Sequence, residues 1–89
     1  MLEGNTYIVT GASRGFGLAF TRALLAAGAN VGMVARNDEL LQRTVAELDD
    51  DRVVGIAADV ADAEQIDSAF ARIKAHFGAL NGLVNNAGL

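Results

Sequence analysis

Three glycines within seven residues constrain the fold of this chain more than any other feature. Gly11, Gly15 and Gly17 follow the apolar run of residues 7–9 and lead directly into residues 18–27, which are rich in alanine and leucine. The first pattern is typical of a buried strand and the second of a helix. A strand that turns through glycines into a helix directs free backbone N–H groups and the positive end of the helix dipole toward one point. The pattern therefore predicts a phosphate-binding loop.

Each glycine of this loop has its own expected role. Gly11 permits the tight turn, whereas Gly15 and Gly17 lack a Cβ and so allow a pyrophosphate and the neighbouring strand to come close. The spacing is G-x-x-x-G-x-G and differs from the G-x-G-x-x-G of the commoner dinucleotide fingerprint. A tight packing turn without a ligand is the alternative interpretation. The strand before the loop and the helix after it favour nucleotide binding.

The rest of the chain alternates short apolar runs with amphipathic segments. Residues 31–35, 53–58 and 80–84 predict three further strands, and helices are expected over 18–27, over 39–48 and after Asp62. Asp62 and Gln65 form a capping-box pattern, and glycines at 28 and 78 are placed to end the first and third helices. The first helix is expected to pack on the sheet through a stripe formed by Phe16, Ala19, Phe20, Ala23, Leu24 and Ala27. The alternation predicts an α/β fold, a Rossmann-type parallel sheet with strand order 3-2-1-4, in which residues 1–89 form the N-terminal part of one dinucleotide-binding domain.

The composition excludes several functions. A net charge of −4 and a single lysine argue against nucleic acid as a partner. The chain has no cysteine and one histidine, His76, so neither thiolate chemistry nor a multi-histidine metal site is expected. The acidic run 49–51 is typical of a solvated turn, and no metal is predicted. No apolar run reaches the roughly 18–20 residues that cross a bilayer, and residues 1–5 lack the pattern of a secretory signal. We expect a cytoplasmic protein that binds no membrane.

Ligands of such sheets bind beyond the carboxyl ends of the strands. The polar residues of interest follow these ends: Thr10, Ser13 and Arg14 after the first strand, Arg36 after the second, Asp59 and Val60 after the third, and Asn85, Asn86, Ala87 and Gly88 after the fourth. Asp59 could accept a hydrogen bond from an adenine amino group, or it could simply cap a turn. Residues 85–88 could lie against a ribose, or they could form an ordinary polar turn. The sequence predicts that these segments meet in one crevice.

Arg36 bears on the choice of cofactor. An NAD-preferring site places Asp or Glu at the end of the second strand, where it accepts hydrogen bonds from the ribose 2′-OH. Here no acid occurs until Asp38. A guanidinium pairs with a 2′-phosphate through two parallel hydrogen bonds, and Arg14 could add a second positive charge. We therefore predict that NADP(H) is preferred over NAD(H); the alternative is that both arginines are merely solvated and indifferent to the cofactor.

Three motifs, residues 10–17, 59–60 and 85–88, occur in an order and at separations that resemble the short-chain dehydrogenase/reductase family. The resemblance implies an oxidoreductase that transfers hydride between NADP(H) and a small carbonyl or alcohol substrate, and a full-length member that forms a homo-oligomer. It also implies a set of cofactor-binding residues: Thr10, Gly11, Ser13, Arg14, Gly15, Phe16 (where Ile is more usual) and Gly17 in the loop, Arg36 at the second strand, Asp59 and Val60 beside the adenine, and Asn86, Ala87 and Gly88 along the ribose. The chain is similar to 3-oxoacyl-(acyl-carrier-protein) reductases and related carbonyl reductases.

The catalytic residues of that family do not carry over to this chain. The family uses a Ser, a Tyr and a Lys four residues after the Tyr, but the only tyrosine here, Tyr7, is followed four residues later by Gly11. The only lysine, Lys74, is expected on the solvent side of the third helix. We therefore expect an N-terminal fragment of a reductase of roughly 250 residues, inactive on its own. The alternative is a non-catalytic nucleotide-binding or regulatory fragment that docks onto a full-length homologue through its open sheet edge.

Overall fold

A computed structural model describes residues 1–86. Strands and helices alternate in the order β1 (Thr6–Thr10), α1 (Gly15–Ala26), β2 (Asn30–Ala35), α2 (Asp38–Leu48), β3 (Val53–Ala57), α3 (Ala63–Phe77) and β4 (Gly82–Val84). All neighbouring strands are parallel, and they form one four-stranded sheet in the order β3-β2-β1-β4. The predicted fold class and strand order are confirmed.

The sheet is covered on both faces by apolar contacts. One face packs Val9, Val31 and Met33 against residues of α1 and α2, and the other packs Ile8 and Val34 against α3. Residues 31–35 of β2 are all buried, as expected for a central parallel strand with a helix layer on each side. In the register of β1 and β2, Thr10 lies opposite Val34, so the carboxyl ends of the two strands reach the same edge of the sheet.

Side chains fix where α2 and α3 begin. The side chain of Asn37 accepts a hydrogen bond from the Leu40 N–H at 3.0 Å. Asp62 Oδ1 accepts from the Glu64 and Gln65 N–H groups at 3.0 and 3.2 Å. The capping box is modified, because the Gln65 side chain accepts from the Asp59 N–H instead of the Asp62 N–H. These caps fix the entry of each helix beside the carboxyl ends of β2 and β3.

The buried face of α1 differs from the predicted stripe. Phe16 and Phe20 are 73% and 46% exposed, and the buried residues are Gly17, Thr21 and Leu25. The physical reason is a close contact between the helix and the loop: a Cβ on Gly17 would lie 2.2 Å from the Gly11 carbonyl oxygen. The helix approaches the loop at Gly17, which has no side chain, and the residues four and eight positions later, Thr21 and Leu25, lie on the same buried face. The helix also begins at Gly15, three residues earlier than expected.

Candidate nucleotide-binding site

A cleft of about 480 Å³ opens at the carboxyl ends of β1, β2 and β3. The loop between β1 and α1 forms one wall, and the segment that enters α2 forms the other. The lining residues are Gly11, Ser13, Arg14, Ala35, Arg36, Asn37, Leu40, Ala58 and Val60. Five of the predicted site residues, from three different strand ends, are thus brought together: Gly11, Ser13, Arg14, Arg36 and Val60.

The glycines of the loop serve two different purposes. Gly11 and Gly15 both have φ of +60°, in the left-handed region that a residue with a Cβ adopts at a cost. Apart from the adjacent residues and the backbone of α1 itself, no described atom lies within 4 Å of where a Gly15 Cβ would stand, so the space above this residue is open. Gly17 has an ordinary backbone conformation and is needed instead for the close contact with Gly11. The loop therefore combines a tight packing contact with free space at the start of the helix.

The N-terminus of α1 differs from those of the other two described helices. Arg14 occupies its N-cap position without a side-chain hydrogen bond to the helix, and the first turn contains no acid. By contrast, α2 and α3 have capping side chains and acidic residues in their first turns. The first N–H groups of α1 consequently keep no side-chain acceptor, and its dipole is not offset by a carboxylate. A pyrophosphate fits this helix end by both its charge and its hydrogen-bonding capacity.

Two guanidinium groups, those of Arg14 and Arg36, lie at the cleft and are exposed. Neither forms an ion pair with any residue between positions 1 and 86. The acids nearest to Arg36 in the sequence are engaged elsewhere, because Asp38 accepts a hydrogen bond from Gln42 and Glu39 pairs with Arg43. No lining residue carries a carboxylate. The described part of the cleft is therefore positively charged and suited to an anionic ligand.

Thr10 and the residues after β4 lie outside this cleft and hold one another in place. Thr10 is 3% exposed, and its Oγ1 accepts the Asn86 N–H at 2.9 Å and lies 3.1 Å from Asn85 Oδ1. Asn86 Nδ2 donates to the Gly11 carbonyl at 3.4 Å. Asn86 Oδ1 is buried and has no hydrogen-bond partner among the described residues. These bonds connect the end of β4 to the glycine loop, whereas the predicted contacts of Thr10 and Asn86 with a cofactor remain predictions.

The side chain of Asp59 also forms a hydrogen bond with a nearby residue of this chain. Its Oδ1 accepts the Ala61 N–H at 2.9 Å, which is the turn-capping role considered as the alternative to adenine binding. Asp59 and Phe16 do not line the cleft, although Val60, 42% exposed, does. The predicted contacts at Ala87 and Gly88 fall outside the described residues.

Sequence reasoning missed several lining residues. Ala35 and Ala58 stand at or just after strand ends, so the rule that pointed to Arg36 could have found them. Leu40 contributes apolar surface to the cleft from the first turn of α2. Asn37 lines the cleft while it caps α2.

The ion pair of Asp50 and Arg52, which shifts the pKa of a carboxyl group, lies away from the cleft. Hydrogen bonds from Arg52 to Asp50 lower the pKa of the Asp50 carboxyl below its ordinary value. This pair precedes β3 and therefore lies at the amino end of that strand, opposite the cleft. Among residues 1–86, no group of three or more His, Asp or Glu side chains could hold a metal ion. No helix in the same range has the length and hydropathy to cross a bilayer.

Comparison with known proteins gives consistent results. A family model described as short chain dehydrogenase matches residues 5–89. The chain is 42% identical over 92 residues to 15-hydroxyprostaglandin dehydrogenase [NAD(+)] from Rattus norvegicus, covering 99% of this chain and 35% of that protein. It is 39% identical over 90 residues to D-threitol dehydrogenase from Mycolicibacterium smegmatis, again covering 99% and 35%. The chain thus spans about a third of the length of the curated relatives that it matches.

A solved structure has the same fold. The 3-ketoacyl-(acyl-carrier-protein) reductase from Brucella melitensis, complexed with NADH, superposes with a TM-score of 0.87 at 30% identity. The superposition covers 93% of this chain and 34% of the reductase. The sequence comparison and the structure comparison therefore both find dehydrogenases or reductases as similar proteins.

Proposed function

Because this chain belongs to the short-chain dehydrogenase family, we propose that it supplies the NADP(H)-binding part of an oxidoreductase. In the whole protein, hydride is transferred between the nicotinamide of the cofactor and a small carbonyl or alcohol substrate. The catalytic groups of that reaction come from outside the described residues. Within them, Tyr7 lies on β1 with its ring against Gly82, and Lys74 is exposed on α3.

The observation that carries the preference for NADP(H) is the charge of the cleft. Two exposed arginines with no ion-pair partner between residues 1 and 86 line it, and no carboxylate does. A carboxylate would repel a 2′-phosphate, whereas a guanidinium donates two parallel hydrogen bonds to it. The rat relative has NAD(+) in its name and the Brucella reductase was solved with NADH. The proposed preference therefore depends on Arg14 and Arg36 of this chain and not on the relatives.

Each part of the site has a proposed role in holding the cofactor. The free N–H groups at the start of α1 bind the pyrophosphate, and Arg14 and Arg36 bind the 2′-phosphate. Leu40 and Val60 place apolar surface beside the adenine. Bound in this way, the cofactor supplies or accepts the hydride, while this chain fixes its adenosine end.

Exchanging the charge of Arg36 tests this preference. We expect Arg36→Asp to raise the dissociation constant of NADP⁺ about tenfold or more, because a charge-assisted contact is lost and a repulsive one is introduced. Binding of NAD⁺ should be unchanged or improved, since it has no 2′-phosphate. Isothermal titration of both cofactors, in the protein that contains this chain, measures the ratio.

Arg72→Asp is the matched control, because Arg72 is exposed on α3 and does not line the cleft. This substitution makes the same change in net charge and should leave the ratio of the NADP⁺ and NAD⁺ dissociation constants unchanged. The proposal is wrong if the wild-type protein binds NADP⁺ no more tightly than NAD⁺, or if both substitutions alter the ratio equally.

A further inference from the structure

The hydroxyl of Thr44 lies between the two walls of the cleft. Thr44 is on α2 and only 6% exposed. Its Oγ1 is 2.9 Å from the Leu40 carbonyl oxygen and 3.4 Å from the Ser13 carbonyl oxygen. Leu40 lines the cleft from α2, and Ser13 lines it from the glycine loop. One buried side chain therefore touches the backbone of both walls.

The two contacts of this hydroxyl have different consequences. Donation to the carbonyl four residues earlier is common for a threonine in any helix and ties α2 only to itself. The contact with Ser13 joins residues 31 positions apart in the sequence and crosses from one element to another. A hydroxyl has a single proton, so the two carbonyls share it. Because Thr44 is buried, water does not readily replace either contact.

We propose that Thr44 is a positioning residue for the cofactor cleft, one that sets the distance between the glycine loop and α2. Arg14 directly follows Ser13, and Arg36 stands two residues before α2 begins. Two guanidinium groups can bind one phosphate only if the segments that carry them are held at the right separation. This inference rests on the proposed function for its effect on cofactor choice, but the coupling of loop to helix is a property of the free protein.

Hydrogen exchange in the free protein tests the coupling directly. Thr44→Val removes the hydroxyl and keeps the shape, whereas Thr44→Ser keeps the hydroxyl. We expect the amides of residues 11–16 to exchange several-fold faster in Thr44→Val and at the wild-type rate in Thr44→Ser, because only the first variant frees the loop from α2. Thr21→Val is the matched control, since Thr21 is buried on α1 and donates to the carbonyl four residues earlier, that of Gly17, at 3.0 Å.

Cofactor binding provides the second measurement. In Thr44→Val the dissociation constant of NADP⁺ should rise about two- to tenfold, the range that corresponds to one lost neutral hydrogen bond. NAD⁺ binding should stay within about twofold of wild type, because NAD⁺ does not require both arginines at one phosphate. Thr44→Ser and Thr21→Val should keep the wild-type ratio of the two constants.

The outcomes separate this inference from the proposed function. A wild-type protein without a preference for NADP⁺ overturns the proposed function, and loop exchange in the free protein still decides the role of Thr44. Wild-type loop exchange in Thr44→Val, or equal acceleration in Thr44→Ser, overturns the inference. If Thr44→Val does not fold, Thr44→Ala and Thr44→Ser form the comparison, and the same two results apply.

Discussion

Replacing Gly17 by alanine tests the contact that sets α1 against the glycine loop. An alanine Cβ would stand 2.2 Å from the Gly11 carbonyl oxygen, 2.8 Å from the Gly11 carbonyl carbon and 2.9 Å from the Ala12 Cα. All three atoms belong to the backbone, so no side chain can rotate away. The oxygen alone would have to move by more than 1 Å to reach the 3.4 Å of an ordinary contact. The helix must therefore shift or the loop must deform.

The expected magnitude follows from two opposing effects. Forcing extra atoms into a packed contact destabilises a protein by about 1–3 kcal/mol. Alanine within a helix is about 1 kcal/mol more favourable than glycine, although less so in the first turn. We expect the overpacking to dominate, because a Cβ with no rotational freedom would meet loop backbone that cannot rotate away, and the net loss should be about 1–2 kcal/mol. In a protein of roughly 250 residues, that corresponds to a fall in melting temperature of about 2–8 °C.

Urea unfolding followed by circular dichroism measures the difference in the free energy of unfolding between Gly17→Ala and wild type. The comparison requires that both proteins have the same m-value. Ala23→Gly on the exposed side of α1 is the control, since it measures the glycine–alanine difference in this helix without a close contact. If propensity alone mattered, Gly17→Ala would stabilise the protein by about as much as Ala23→Gly destabilises it. A Gly17→Ala protein as stable as wild type, or more so, would refute the reasoning and remove the reason given for the buried face of α1.

Two further predictions concern the rest of the fold. Thr10→Val should destabilise the protein by about 1–3 kcal/mol, because the Asn86 N–H loses its acceptor, while Thr10→Ser should not; urea unfolding measures both, and equal losses would contradict the proposed tie between β1 and the end of β4. The pKa of Asp50 is lowered in the folded state by Arg52, so the pair contributes stability above the ordinary carboxyl pKa of about 4, and this contribution is lost as the pH falls through the folded value. The melting temperature should therefore fall less steeply between pH 7 and pH 2 in Asp50→Asn than in wild type. Parallel curves for the two proteins would show that the pair contributes nothing to stability.

The roles of the loop glycines show how far sequence reasoning reaches. A left-handed backbone at Gly11 and Gly15 follows from a strand that must turn at once into a helix, and few residues other than glycine adopt it freely. The caps at Asn37 and Asp62 are equally local, since each side chain bonds to N–H groups two or three residues away. Features of this kind depend on neighbouring residues only, so they can be predicted without knowledge of the tertiary fold.

Contacts between residues far apart in the sequence were harder to predict. Phe16 and Phe20 were expected in the core because α1 is apolar on nearly every side, so helical spacing alone could not choose its buried face. The hydroxyl of Thr10 is bonded to residues 75 and 76 positions later in the sequence, and no local pattern indicates those contacts. Its contact with a cofactor stays a prediction. The contact of Thr44 could not be predicted, since a polar residue in a helix gives no sign that its hydroxyl meets a loop 31 positions earlier.

The sequence by itself determined the alternation of strands and helices, the parallel sheet with its strand order, and the strand ends at which polar residues gather. These follow from apolar periodicity and from glycine and capping chemistry, which act over short stretches of chain, and from the general rules that crossover connections obey in parallel sheets. Only the tertiary structure decided which face of α1 is buried, which predicted residues line the cleft and which hold its walls together. Those outcomes depend on distances of a few ångströms between elements, and such distances are set by the packing of the whole sheet with its helices.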